Sequence, residues 1–178
     1  MKSIFPIFAC LFLMFGCSSY SVQESTLTAQ EFDKTIELTV PASKVIMIIP
    51  KLGLVKQKEN PTNSNRYFYY WDNKEQLGIS GWFEPESQFK GTKVHWNKFL
   101  ANWNGNPPTN VHFEKLNGWE IVRYKIDVQG CSQSNAKVFL VQNSTWIELH
   151  ISSFCKKDGS EQADIMNYIK SIAVENKV

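Results

Sequence analysis

The sequence predicts an α+β domain built on a central antiparallel sheet, and three observations carry that prediction. Asn117-Gly118 joins strand candidates at 111–116 and 119–128, and Asn143-Ser144 joins 137–142 to 145–152, so tight turns link four consecutive antiparallel strands. Trp96, Phe99, Leu100 and Trp103 recur at the i, i+3, i+4, i+7 spacing of one helix face. Arg66-Tyr67-Phe68-Tyr69-Tyr70-Trp71 places large aromatics on both faces of one strand, which predicts a strand buried on both.

The remaining elements follow in order. Ile36, Leu38 and Val40 alternate with polar residues up to Pro41, and 45–49 is an apolar, largely β-branched run closed by Pro50; both read as strands. Residues 52–58 are a weaker candidate that ends in Asn60-Pro61-Thr62-Asn63-Ser64-Asn65, a loop by composition. Asp72-Asn73-Lys74 reads as a turn, and 77–83 as the next strand with Leu77, Ile79 and Phe83 on one face. Gly78 and Gly81 within it mark places where another backbone packs closely. Thr92 is the expected N-cap of the first helix, which stops at Asn104-Gly105-Asn106-Pro107-Pro108. Asp158 with Glu161 resembles a capping box, and Ile165, Met166, Ile169, Ile172 and Ala173 give a closing helix its apolar face.

The N-terminus reads as an address. Lys2 is followed by an almost wholly apolar run to Phe15, then by Gly16 and Cys17 and the polar Ser18, Ser19 and Ser21. The thirteen residues from Ile4 to Gly16 fall short of the roughly 20 that span a bilayer as a helix, so the segment reads as a cleaved signal rather than a permanent anchor. A small residue before a cysteine resembles bacterial lipoprotein signals, and it implies that Cys17 becomes the acylated first residue of the mature chain. An ordinary secretory signal is the alternative; either way the domain is exported. Ser18 rather than Asp after the cysteine resembles lipoproteins sorted to the outer membrane. The expected organisation is a signal peptide at 1–16, a flexible tether at 17–32 and one α+β domain at 33–178. Residues 18–30 are rich in Ser, Thr and Gln and too poor in apolar groups to offset ordering entropy, though a first strand or helix beginning near Leu27 is the alternative.

Without residues 1–16 the chain carries 18 Lys and Arg against 17 Asp and Glu. So balanced a surface gives counterion release little to act on, and nucleic acid is not an expected partner. The pair Lys156-Lys157 reads as a solvated turn. With Cys10 removed and Cys17 acylated, Cys131 and Cys155 remain as a pair in an oxidising compartment and are expected to be bridged.

Signals of chemistry are sparse. His95, His112 and His150 fall on three separate elements with no metal-ligand spacing, and there is no nucleophile elbow, phosphate loop or dinucleotide fingerprint. No cofactor and no metal are expected. Glu148 and His150 alternate along one strand face, and together with Tyr124 they are the weak candidates for a ligand site; a sheet face covered by a helix or meeting water explains the same spacing. The six tryptophans suggest a carbohydrate platform, but Trp96 and Trp103 stand at core spacing and Trp146 lies mid-strand, so most read as packing.

The strand Leu77-Gly78-Ile79-Ser80-Gly81-Trp82-Phe83 with a helix after it, the Gly118-Trp119 strand, Trp146-Ile147-Glu148-Leu149-His150-Ile151-Ser152, and a closing helix through Lys170-Ser171-Ile172 together resemble the PsbP-like fold. That superfamily includes plant photosystem extrinsic subunits, a Ran-binding nuclear protein and bacterial lipoproteins of the DcrB type. The resemblance spans residues 33–175. It implies an α/β/α sandwich with helices on both faces of the sheet, and roles in binding or stabilising other proteins. The expectation is therefore a lipid-anchored envelope protein that binds another envelope protein without catalysis; the rivals are an immunity protein against a secreted toxin and a small-ligand carrier or small enzyme.

Overall fold

Period-two burial decides the architecture. β2 (Thr35–Thr39) and β3 (Val45–Pro50) bury Ile36, Leu38, Val45, Met47 and Ile49 on one face while the residues between them stay half-covered, the pattern of a sheet packed on one side. The computed structural model describes residues 27–40, 43–58, 66–156 and 158–176. The expected signal, Cys17, most of the tether and the loop at 60–65 lie outside the described residues.

Two antiparallel sheets stack. The smaller has the order β1-β2-β3-β11, its edges being β1 (Thr28–Glu31) and β11 (Ala173–Asn176). The larger comprises β4 (Val55–Lys56), β5 (Tyr67–Asp72), β6 (Leu77–Pro85), β7 (Thr109–Leu116), β8 (Trp119–Val128), β9 (Cys131–Gln142) and β10 (Thr145–Ser153), in the order β4-β5-β6-β10-β9-β8-β7. The main core lies between them. Phe68, Tyr70, Ile79, Ile121, Val138, Leu149 and Ile151 from the larger sheet meet Ile36, Leu38, Met47 and Ile49 from the smaller. Each fully buried side chain of this size contributes roughly 1.5–3 kcal/mol of transfer free energy. Helix α2 (Ile165–Lys170) closes this side with Ile165, Tyr168 and Ile169, and the Tyr168 hydroxyl donates to the Pro50 carbonyl at 3.1 Å. On the opposite face, α1 (Thr92–Ala101) forms a second core with Trp96 against Val122, Tyr124 and Ile126.

The expected sandwich with helices on both faces is therefore corrected: one face of the large sheet is covered by a second sheet, with, among the described residues, only a six-residue helix beside it. The closing helix stops early because Ser171 Oγ caps the Tyr168 carbonyl at 2.6 Å and the chain then pairs with β3, Ala173 opposite Ile48. A six-residue helix is only about 9 Å long, too short to cover seven strands. Asp164, not Asp158, caps α2, its carboxylate accepting from the amides of Met166 and Asn167, while Asp158 accepts from Ser160. Gly91 precedes α1, and the Thr92 hydroxyl donates to Glu120 instead of capping. β5 is buried on one face only: Phe68 and Tyr70 are in the core, whereas Tyr67, Tyr69 and Trp71 stay half-buried on the other. The end of the expected tether forms β1 on the edge of the small sheet, in line with the alternative of an early strand.

Both predicted hairpins are present. Asn117 and Gly118 have φ of 49° and 83°, and Asn143 and Ser144 have 49° and 58°, the left-handed pair that a two-residue hairpin turn requires. At Gly81 the close neighbour is a side chain rather than backbone: a Cβ there would lie 2.5 Å from the Phe68 ring and 2.9 Å from Leu149. Cys131 and Cys155 are disulfide-bonded with Cα atoms 5.9 Å apart. Since β9 and β10 are neighbours, the bridge fastens the open end of the hairpin whose closed end is Asn143-Ser144. Lys156 of the basic pair bonds Glu75 at 2.7 Å.

Candidate functional site

The face of the large sheet that carries α1 brings the sequence candidates together. β10 directs Trp146, Glu148, His150 and Ser152 to it, and the register sets His150 opposite Lys137 on β9 and Ser80 on β6. The Tyr124 hydroxyl lies 3.2 Å from His150 Nε2. Glu148 belongs to the same face but pairs elsewhere, its Oε1 2.6 Å from Lys137 Nζ, with both side chains less than one-fifth exposed. Lys137, which the sequence reading did not single out, is the centre of the cluster: its ammonium also stands 4.8 Å from the centroid of the Phe99 ring. An apolar-polar alternation in Ala136, Lys137 and Val138 was the available signal for it.

Burial shifts both titrating groups of the Tyr124–His150 pair. Burial, with the Lys137 charge added, pushes the His150 imidazole down to about 3, so it is neutral across the physiological range. Burial and then the Glu148 charge raise the Tyr124 phenol well above its ordinary value. A weakly basic imidazole facing a weakly acidic phenol makes a poor proton-transfer pair near neutral pH. Among the described residues no group of three or more His, Cys, Asp or Glu side chains is placed to hold a metal ion. His112 lies on β7 and His95 on α1, apart from His150.

Beside the cluster runs a groove of about 460 Å³ between α1 and the sheet. His95, Lys98, Phe99 and Asn102 form its helical wall at i, i+3, i+4, i+7, one stripe round from the packed Trp96. Its floor is Trp82, Lys137, Trp146 and Glu148, and Trp103 closes the end beyond α1. The aromatic side chains brace one another: the His95 and Trp146 rings are 4.3 Å apart, Phe99 and Trp103 are 5.1 Å apart, and Trp82 meets Tyr67 at 4.6 Å. Burial lowers the His95 imidazole below its ordinary range. Packing accounts for Trp96, Trp119 and Trp146, which are buried, but Trp71, Trp82 and Trp103 remain half-open.

A third feature lies across α1 from the groove. β7 ends the large sheet, and its outer side pairs with no strand among the described residues. Val111 and Phe113 on it are 37% and 48% exposed, and Val94 of α1, 52% exposed, lines a shallow pocket with Phe113.

Searches of protein-family models and of curated proteins return no match to this chain.

Proposed function

We propose that this is an exported envelope lipoprotein, anchored through an acylated Cys17 on the periplasmic side of the outer membrane, whose domain binds another envelope protein without catalysis. The observation that carries the reading is the β7 edge. An unpaired strand with open amide and carbonyl groups can take a further strand from a partner, and apolar side chains along it add affinity. Val111, Phe113 and Val94 supply that apolar strip. The Cys131–Cys155 bridge suits an oxidising compartment. The non-catalytic part is supported by the candidate cluster, whose polar groups are engaged with one another as Tyr124 with His150 and Lys137 with Glu148.

The test is in-cell crosslinking of the tagged full-length chain followed by mass spectrometry, with Cys17→Ala and Phe113→Lys as parallel variants. A discrete partner that disappears in both supports the reading. Membrane retention of Cys17→Ala counts against the anchor, and a partner indifferent to Phe113→Lys counts against the edge.

A further inference from the structure

The groove under α1 combines features that no packing role requires. Its polar and charged groups come as balanced sets: Lys98 and Lys137 against Glu84 and Glu148. Lys137 meets Glu148 at 2.6 Å and Glu84 meets Arg66 at 2.8 Å, while Lys98, exposed on the helical wall, has no salt bridge among the described residues. A single solvent-screened lysine exerts only a weak pull on an ionic ligand. Two half-open indoles line it, Trp82 on the sheet, braced on Tyr67, and Trp103 past the helix end, braced on Phe99. The Gln88 and Asn102 amides on the rim carry both donors and acceptors. Because the floor is the face of a sheet, its backbone groups are already spent in the β6–β10–β9 ladders, so an occupant can be held only through side chains. A peptide would find no main-chain partners there. An uncharged ligand with its own hydroxyls and flat C–H faces would find both of its needs met.

We infer that this groove binds a neutral saccharide, its sugar rings lying against Trp82 and Trp103 and its hydroxyls bonding to Asn102, Gln88 and the Lys137–Glu148 pair. The volume of about 460 Å³ falls within the roughly 300–1,000 Å³ of small-molecule sites. The inference depends on neither the lipid anchor nor the edge-strand partner.

The test titrates the full-length chain, extracted in a zwitterionic alkyl detergent, with soluble neutral oligosaccharides of glucose and of N-acetylglucosamine. Tryptophan fluorescence and calorimetry read the binding, with an acidic oligogalacturonate and an uncharged peptide as controls. Saturable binding of at least one neutral oligosaccharide is expected, insensitive to salt and weakened about tenfold by Trp82→Ala or Trp103→Ala. Phe113→Lys should leave it unchanged, and an alkyl maltoside detergent should compete. Urea midpoints of each variant separate lost binding from lost folding, and Asn102→Ala, on the exposed helix surface, provides a second reading of the same site. No saturable binding of any neutral oligosaccharide overturns the inference, as does preference for the acidic or peptide control, or equal affinity in the tryptophan and Asn102 variants.

Discussion

Tyr124 and His150 face each other across the β8–β9–β10 surface with their rings within 7° of parallel and their polar atoms 3.2 Å apart. Two strands and the helix above them fix that relationship, so it reports on the integrity of the whole face.

The imidazole is held neutral to about pH 3 in the fold, whereas an unfolded chain protonates it near 6.5. Between those values the unfolded state binds the extra proton, so stability is complete above about pH 7 and falls as pH is lowered through the window. The full term would amount to roughly 2 kcal/mol between pH 7 and pH 5. Urea midpoints across that range should decline less steeply in His150→Gln; an unchanged slope would show that other groups govern the acid response.

Lys137 and Glu148 are each less than one-fifth exposed. Lys137→Met alone strands a carboxylate and should cost about 3 kcal/mol, while Lys137→Met with Glu148→Leu should recover most of the loss. A double-mutant cycle from chemical denaturation measures the difference. Purely additive single losses would contradict the pairing.

The disulfide closes a separation of 24 residues, for which the chain-entropy argument gives about 3.5 kcal/mol. Replacing both Cys131 and Cys155 by Ala should lower stability by up to that amount. Hydrogen exchange should then rise first in the segment from Phe154 to Asp164, which leads into α2, with the β8–β9 ladder protected longest.

Gly81→Ala forces a methyl against the Phe68 ring and should cost about 2 kcal/mol. Ser144→Gly should do the opposite, by about 0.5–1 kcal/mol, because it relieves a left-handed residue in the β9–β10 turn. Thermal midpoints moving in opposite directions are the expected result.

The sequence carried most of the large sheet, because its hairpins are written in turn residues and its strands in alternation. What it hid has physical causes. Thr28 to Glu31 are all exposed, so β1 leaves no burial pattern to read. Ile172 is buried whether it ends a helix or precedes a strand, and so β11 was absorbed into the helical spacing of Ile165 and Ile169. The aromatics of β5 promised burial on both faces, yet Tyr67 and Tyr69 gain only partial cover because α1 sits over β8 and β9 instead. Glu148 and His150 were legible as neighbours on one face. Their separate partners, Lys137 and Tyr124, follow from cross-strand register, which spacing along one strand does not encode.

β1 lies at the edge of the small sheet, with Thr28 opposite Thr39 at the end far from its turn. Tension applied at its N-terminal end across the strand direction would load these pairs one after another, as in opening a zipper, rather than shearing them all together. Its side chains are exposed, so the resistance comes from a few backbone bonds, the Glu31–Lys51 ion pair at 3.2 Å and the packing of Leu27 against the main core, and the neighbouring β2–β3–β11 ladder would keep its own pairing. Four residues paid out in this way lengthen the connection by about 13 Å. The first strand is thus the element given up first when the chain is drawn from that side, before the pairing beneath the core is loaded.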